Sequence, residues 1–116
     1  MICHITVHTA QLDESVAFYQ WLLEMPISRK LDRPGGAIVF LGSGETKLEF
    51  IADETAKSVD AKGLTVGFTV DDLDKKLAML DDRKIPHSDI ASPGPGIRFA
   101  FFTDLNGCAI QLVQEG

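Results

Sequence analysis

The side chains in this sequence best suited to chemistry stand on alternating positions of short apolar stretches. His4, Thr6 and His8 alternate with Cys3, Ile5 and Val7, and Glu49 stands between Leu48 and Phe50. Thr65, Gly67 and Thr69 alternate with Leu64, Val66 and Phe68, and Gln111 stands between Ile110 and Leu112. In an extended chain successive side chains point to opposite faces, so each stretch has one apolar face and one polar or small face. The apolar set is expected to pack under helices. Burying imidazole, carboxylate and amide groups without partners is costly, so the polar set is expected to line an open, water-accessible crevice. Sheets with one solvated face alternate in the same way, and the alternation alone leaves both readings open.

The elements that must position these groups follow from periodicity and turn chemistry. A strand is predicted over residues 2 to 8, then a helix over Leu12 to Leu23, where Leu12, Val16, Tyr19 and Leu23 recur at helical steps. Asp13 and Glu14 suit the positive helix start, and Pro26 stops the helix. Strands are predicted at Ile27 to Asp32, Ala37 to Leu41 and Lys47 to Ile51, parted by Pro34-Gly35-Gly36 and Gly42-Ser43-Gly44. Residues 53 to 62 are polar and read as a linker.

The order then repeats. A strand is expected at Leu64 to Val70, a helix at Asp72 to Lys84 capped by Asp71 or Asp74, and strands at His87 to Ala91, Ile97 to Thr103 and Ala109 to Val113. Turns are placed at Pro93-Gly94-Pro95-Gly96 and Asn106-Gly107. Leu12 maps onto Leu73 (73 − 12 = 61), Pro26 onto Pro86 (86 − 26 = 60) and Glu49 onto Gln111 (111 − 49 = 62). An internal duplication accounts for this, giving an α+β fold of two tandem βαβββ modules, with module one at 1 to 52 and module two at 63 to 116 of a single domain. His4 maps onto Thr65 by a shift of 61 (65 − 4 = 61), so the four positions form two pairs related by an approximate twofold axis. Such pairing is how a central site is built between two modules, whose free sheet faces must meet each other, meet a second chain or enclose a crevice.

Composition narrows the partners. Acidic side chains outnumber basic ones 17 to 11, with no Lys/Arg cluster, so the electrostatic footprint for nucleic acid is missing. No apolar run approaches the roughly 20 residues that span a bilayer, and no signal-peptide pattern opens the chain. Cys3 and Cys108 make no disulfide framework and lack an activating motif, so both are expected to be structural, in a reducing, cytoplasmic compartment.

The chain resembles the vicinal oxygen chelate superfamily, which holds glyoxalase I, extradiol dioxygenases and bleomycin-resistance proteins. The resemblance spans nearly the whole length and rests on Leu12-Asp13-Glu14-Ser15-Val16-Ala17-Phe18-Tyr19, Leu48-Glu49-Phe50, Gly67-Phe68-Thr69-Val70-Asp71-Asp72 and Phe102-Thr103-Asp104-Leu105-Asn106-Gly107 before Ile110-Gln111-Leu112. It implies paired modules around an open barrel and a homodimer. Metal-dependent members use two His and two carboxylates, at positions held here by His4, Glu49, Thr65 and Gln111. Half of that set departs. Imidazole and carboxylate are good ligands for divalent Zn, Ni, Fe or Mn, whereas an amide is weaker and a threonine hydroxyl poor. His4, Glu49 and Gln111 are the three ligands that would remain.

The departure also bears on mechanism. Glyoxalase-type isomerisation needs a carboxylate to take a proton beside a carbonyl, and Gln111 is no base, which leaves Glu49 as the candidate catalytic residue. Extradiol ring cleavage would need a second histidine where Thr65 stands, and His8 is the only neighbour on the same face. The function expected first is therefore small-molecule binding without secure metal or catalysis, with His4, His8, Thr65 and Gln111 lining the crevice. Phe99 and Phe101, or Phe102 on the opposite parity, would supply aromatic walls, and Arg98 or His87 polar anchors. Phenylalanines on strands are ordinarily core, as are Phe18, Tyr19 and Trp21 on the first helix. A metal-dependent lyase or isomerase is the second expectation, an extradiol-type dioxygenase the third, and a purely structural role for the polar face stands beside them.

Overall fold

A computed structural model describes all residues from Met1 to Gly116. It divides into two compact units, Met1–Ser58 and Val59–Gly116, with the boundary inside the polar stretch 53 to 62. Each unit is a four-stranded sheet with one helix, the α+β pattern of two βαβββ modules.

The first unit holds β1 (His4–Thr9), α1 (Leu12–Leu23), β2 (Ile27–Leu31), β3 (Ile38–Leu41) and β4 (Lys47–Ala52), in sheet order β1-β4-β3-β2. β1 runs parallel to β4, and the other pairs are antiparallel. A parallel pair needs a long crossover, which α1 begins. α1 packs on β4, with Tyr19 and Leu22 almost fully buried and the Tyr19 ring 5.7 Å from that of Phe50. Phe18 is buried too, whereas Trp21 is half-buried with its ring 5.7 Å from Phe18. The helix ends at Glu24, whose left-handed φ of 53° turns the chain two residues before Pro26.

The second unit repeats the plan with β5 (Val66–Thr69), α2 (Leu73–Asp82), β6 (Ala91–Gly94), β7 (Ile97–Thr103) and β8 (Ala109–Glu115), in order β5-β8-β7-β6. Leu73, Leu77 and Leu80 of α2 are buried together with Ile110, Leu112, Ala100 and Phe102. The helix cap is Asp72, whose side chain accepts from the Lys75 amide, in place of the expected Asp71 or Asp74. At the other end Lys84 adopts φ 58°, and the amides of Lys84 and Ile85 donate to Asp81 O and Leu80 O. That pair of bonds closes the helix at Asp82, before the expected Lys84.

Three further expectations are corrected. β5 begins at Val66 instead of Leu64, because the Ala61–Leu64 turn is still closing there, and Leu64 is 63% exposed instead of packed under a helix. No strand spans His87 to Ala91. His87 makes one isolated bridge to Phe102, and Ser88 satisfies the Phe101 amide with its hydroxyl, so the ladder starts only at Ala91. Pro93 and Gly94 then belong to β6, and the turn tightens to Pro95-Gly96, with Gly96 at φ 77°. No helix is long and apolar enough to cross a membrane.

Candidate functional site

In the first unit the polar parity of β1 converges on one carboxylate. Parallel pairing sets Thr6 opposite Glu49, and antiparallel pairing sets Phe40 of β3 on its other side. Thr6 Oγ1 donates to Glu49 Oε1 at 2.5 Å, and His4 Nε2 lies 3.4 Å from the same oxygen. The His4 ring meets Phe40 edge-on at 5.7 Å. Glu49 is thereby only 8% exposed although it points to the face away from α1. The polar face is accordingly not bare to water at its centre: a carboxylate is tucked between a hydroxyl, an imidazole and an aromatic ring.

Cys3 departs from its expected place. It lies outside β1, is exposed, and its Sγ is 3.3 Å from His4 Nδ1. His8, also exposed, stands apart from the Glu49 group. Its Nδ1 is 3.9 Å from Asp53 Oδ2, beside a pocket of about 480 Å³ bordered by Arg33, Gly35 and Glu54. The Asp53 carboxyl is held below its usual range by the side-chain and backbone hydrogen bonds from Thr55, and His8 and Arg33 add to this.

The second unit repeats the register with different chemistry. Gly67 faces Gln111 as Thr6 faces Glu49 (67 − 6 = 61; 111 − 49 = 62), and Phe101 flanks Gln111 as Phe40 flanks Glu49 (101 − 40 = 61). A Cβ on Gly67 would come 3.5 Å from Gln111 Oε1, an ordinary contact, so the amide lies beside the glycine without filling its side-chain space. Thr65 is exposed and precedes β5.

Phe101 is 41% exposed, with its ring 5.6 Å from Phe99, while Phe102 is buried on the helix side. The exposed aromatic wall is therefore Phe101, although Phe102 lines the same space. That space is a pocket of about 460 Å³, bordered also by Pro86, His87, Ser88 and Thr103. Arg98 is no anchor there, being paired with Asp74 of α2 at 3.2 Å.

A divalent metal needs several such donors converging on one point. No group of three or more His, Cys, Asp and Glu side chains is arranged so that it could hold a metal ion. The first unit brings together one imidazole nitrogen and one carboxylate, a donor short of the three protein ligands typical of catalytic zinc, and Glu49 Oε1 already accepts from Thr6. The residues present do not make a complete metal site.

Phe40 escaped the sequence reading, although subtracting the 61-residue shift from Phe101 points to it. The Cys3–His4 contact had no signal beyond adjacency.

Residues 1–112 match the model of the Glyoxalase/Bleomycin resistance protein/Dioxygenase superfamily. Among solved structures, the chain resembles the trypanothione-dependent glyoxalase I of Leishmania major at 26% identity and TM-score 0.78, covering 99% of this chain and 86% of that one. It resembles TnmS3, an antibiotic binding protein from Streptomyces sp. CB03234, at 18% identity and TM-score 0.76, over 100% and 96% of the two chains. The fosfomycin resistance protein FosX of Listeria monocytogenes shares 13% identity at TM-score 0.77, over 100% and 93%. No curated protein sequence matches significantly.

Proposed function

This chain belongs to the Glyoxalase/Bleomycin resistance protein/Dioxygenase superfamily, and from that premise we propose that it binds a small organic molecule and holds it without metal-dependent turnover. The observation that carries this reading is the second-unit pocket of about 460 Å³ against the exposed Phe101 ring. Concave, mostly apolar space with a few placed polar groups is the usual form of a small-molecule site. None of His4, His8, Glu49, Thr65 or Gln111 borders that pocket; each is proposed as a polar ligand contact on the face of its own unit. The likeness in fold to an antibiotic binding protein supports the reading.

The test is a thermal-shift and calorimetric screen with small aromatic compounds and antibiotics. Saturable binding that weakens in Phe101→Ala is the expected result, with Glu49→Gln, Thr65→Ala and Gln111→Ala read in parallel for their part in it. A chain that binds none of the panel but isomerises a hemithioacetal once metal is added would overturn it.

That outcome defines the second reading, a metal-dependent lyase of glyoxalase type, favoured by the His4–Glu49 approach of 3.4 Å. Glu49, the only carboxylate in the group, would then take the proton from carbon only if it is not itself a ligand of the metal. Titrating zinc, nickel and iron(II) into the protein decides between the two. Stoichiometric uptake lost in both His4→Ala and Glu49→Ala favours the enzyme.

A homodimer is part of the proposal. β2 is an edge strand exposed at all five residues, with Ile27 47% and Leu31 38% exposed, and such edges are commonly covered by a second copy. Sedimentation of the wild type and of Ile27→Lys tests it. The free thiols of Cys3 and Cys108 suit a cytoplasmic location.

A further inference from the structure

The polar groups around the Phe101 pocket are nearly all spent within the protein. His87 Nε2 is 2.8 Å from Asp81 Oδ1, and its Nδ1 is 2.7 Å from Ser88 O. The Ser88 hydroxyl donates to Asp89 O and accepts from the Phe101 amide, both at 2.9 Å. Of the lining side chains, only the Thr103 hydroxyl remains for a ligand; Pro86, Phe101, Phe102 and Ala109 supply apolar surface. No Lys or Arg lines the space, both ring nitrogens of His87 are engaged, and the chain carries a net charge of −6. An anionic ligand would be desolvated there without compensation.

The same contacts couple Phe101 to a proton. A carboxylate and a carbonyl oxygen only accept, whereas a neutral imidazole has one N–H to give. Both His87 contacts are thus satisfied together only in the imidazolium. Ser88 in turn holds Phe101 twice, its amide donating to Phe101 O at 2.8 Å and its hydroxyl taking the Phe101 N–H. The chain of contacts runs from Asp81 in the last turn of α2, through His87 and Ser88, to the aromatic wall.

The charged groups acting on His87 are Asp81 of α2 and Asp89 ahead of β6; β7 and β8 meet the pocket through Phe101, Phe102, Thr103 and Ala109, which bring none. The His87 pKa lies above its ordinary value, with the Ser88 carbonyl the largest cause, burial opposing, and Asp81 and Asp89 adding to the rise.

We propose that this pocket takes an uncharged aromatic molecule, and that His87 is a positioning residue whose proton holds the Phe101 wall in place for it. The inference rests on the small-molecule reading and adds the ligand class and its control.

The experiment uses the full chain and two fluorescent probes, uncharged N-phenyl-1-naphthylamine and its sulfonated relative 1-anilinonaphthalene-8-sulfonate, between about pH 5.5 and 8.5. The uncharged probe is expected to bind at least about tenfold more tightly than the sulfonate, and to lose about tenfold in Phe101→Ala. Its affinity is expected to fall about threefold or more as pH rises through the His87 titration, and to be flat with pH in His87→Gln, which can satisfy only part of the contacts. Melting curves at each pH confirm that the variants are folded, and Phe101 amide shifts by NMR, following the His87 titration, report the coupling apart from stability.

A sulfonate preference, or a pH profile that survives His87→Gln, would overturn the inference. So would binding that is lost in Glu49→Gln but kept in Phe101→Ala, and that result leaves the small-molecule reading standing. Failure of a wider ligand screen together with both probes would sink the two readings at once.

Discussion

Thr6 Oγ1 donates to Glu49 Oε1 across the parallel pair β1–β4, joining residues 43 positions apart at 2.5 Å. This bond, with the His4 ring 3.4 Å from the same oxygen, is what lets a carboxylate sit nearly out of solvent, since a hydrogen bond to a charged acceptor is stronger than one between neutral groups.

Thr6→Val is therefore expected to destabilise the chain by about 1–3 kcal/mol, the range for leaving a buried polar group short of a partner. Thr6→Ser keeps the donor and should restore most of the loss. Urea denaturation of the three proteins is the check, and equal midpoints for Val and Ser would show that Glu49 gains nothing from the hydroxyl.

Gly36 adopts φ 126°, and a Cβ built on it would come 2.5 Å from Ala52 Cβ on β4. Gly35 next to it has φ 90° but open space around it. Gly36→Ala should cost more than Gly35→Ala, which carries only the backbone strain of about 1–3 kcal/mol. The difference in denaturation midpoint isolates the steric contact.

The two thiols should react very differently. Burial, with Asp104 adding, pushes the Cys108 pKa up to about 11, while Cys3 is exposed. Because the thiolate is the nucleophile, iodoacetamide at about pH 8 is expected to label Cys3 at least about tenfold faster than Cys108. Peptide mass mapping reads the ratio, and in urea the two rates should converge.

His87 predicts a pH-dependent stability. Its folded pKa is raised above the ordinary 6.5, so its contribution is fully present below about that pH and is lost as pH rises through the higher folded value. The stability gap between wild type and His87→Gln should therefore be wider near pH 5.5 than near pH 8.5. A gap that widens towards alkaline pH would contradict the two hydrogen bonds assigned to the ring.

Much of this architecture was legible because it repeats. α1 falls where Leu12, Val16, Tyr19 and Leu23 placed it, and the register that sets Gly67 on Gln111 reproduces the one that sets Thr6 on Glu49. The errors lie where side chains replace backbone pairing. His87 to Ala91 falls where the repeat calls for a strand, but a serine hydroxyl and a histidine ring take over hydrogen bonds a ladder would have made. Cap choice among Asp71, Asp72 and Asp74 was equally opaque, since three neighbouring carboxylates differ only in which one meets the Lys75 amide. Of the candidate site, periodicity could give the face of Glu49 but not its cover, because the ring of Phe40 comes from a strand read only as apolar.

The pairing of β1 with β4 has a consequence for synthesis on the ribosome. The opening strand finds its only sheet partner in a segment made some forty residues later, as His4 opposite Lys47 illustrates (47 − 4 = 43), and β5 waits for β8 in the same way. Each half must stay unfinished until its last strand has emerged, so closing these long loops sets the pace of folding. Until then the nascent chain carries an unpaired edge that a chaperone or a neighbouring copy is free to occupy.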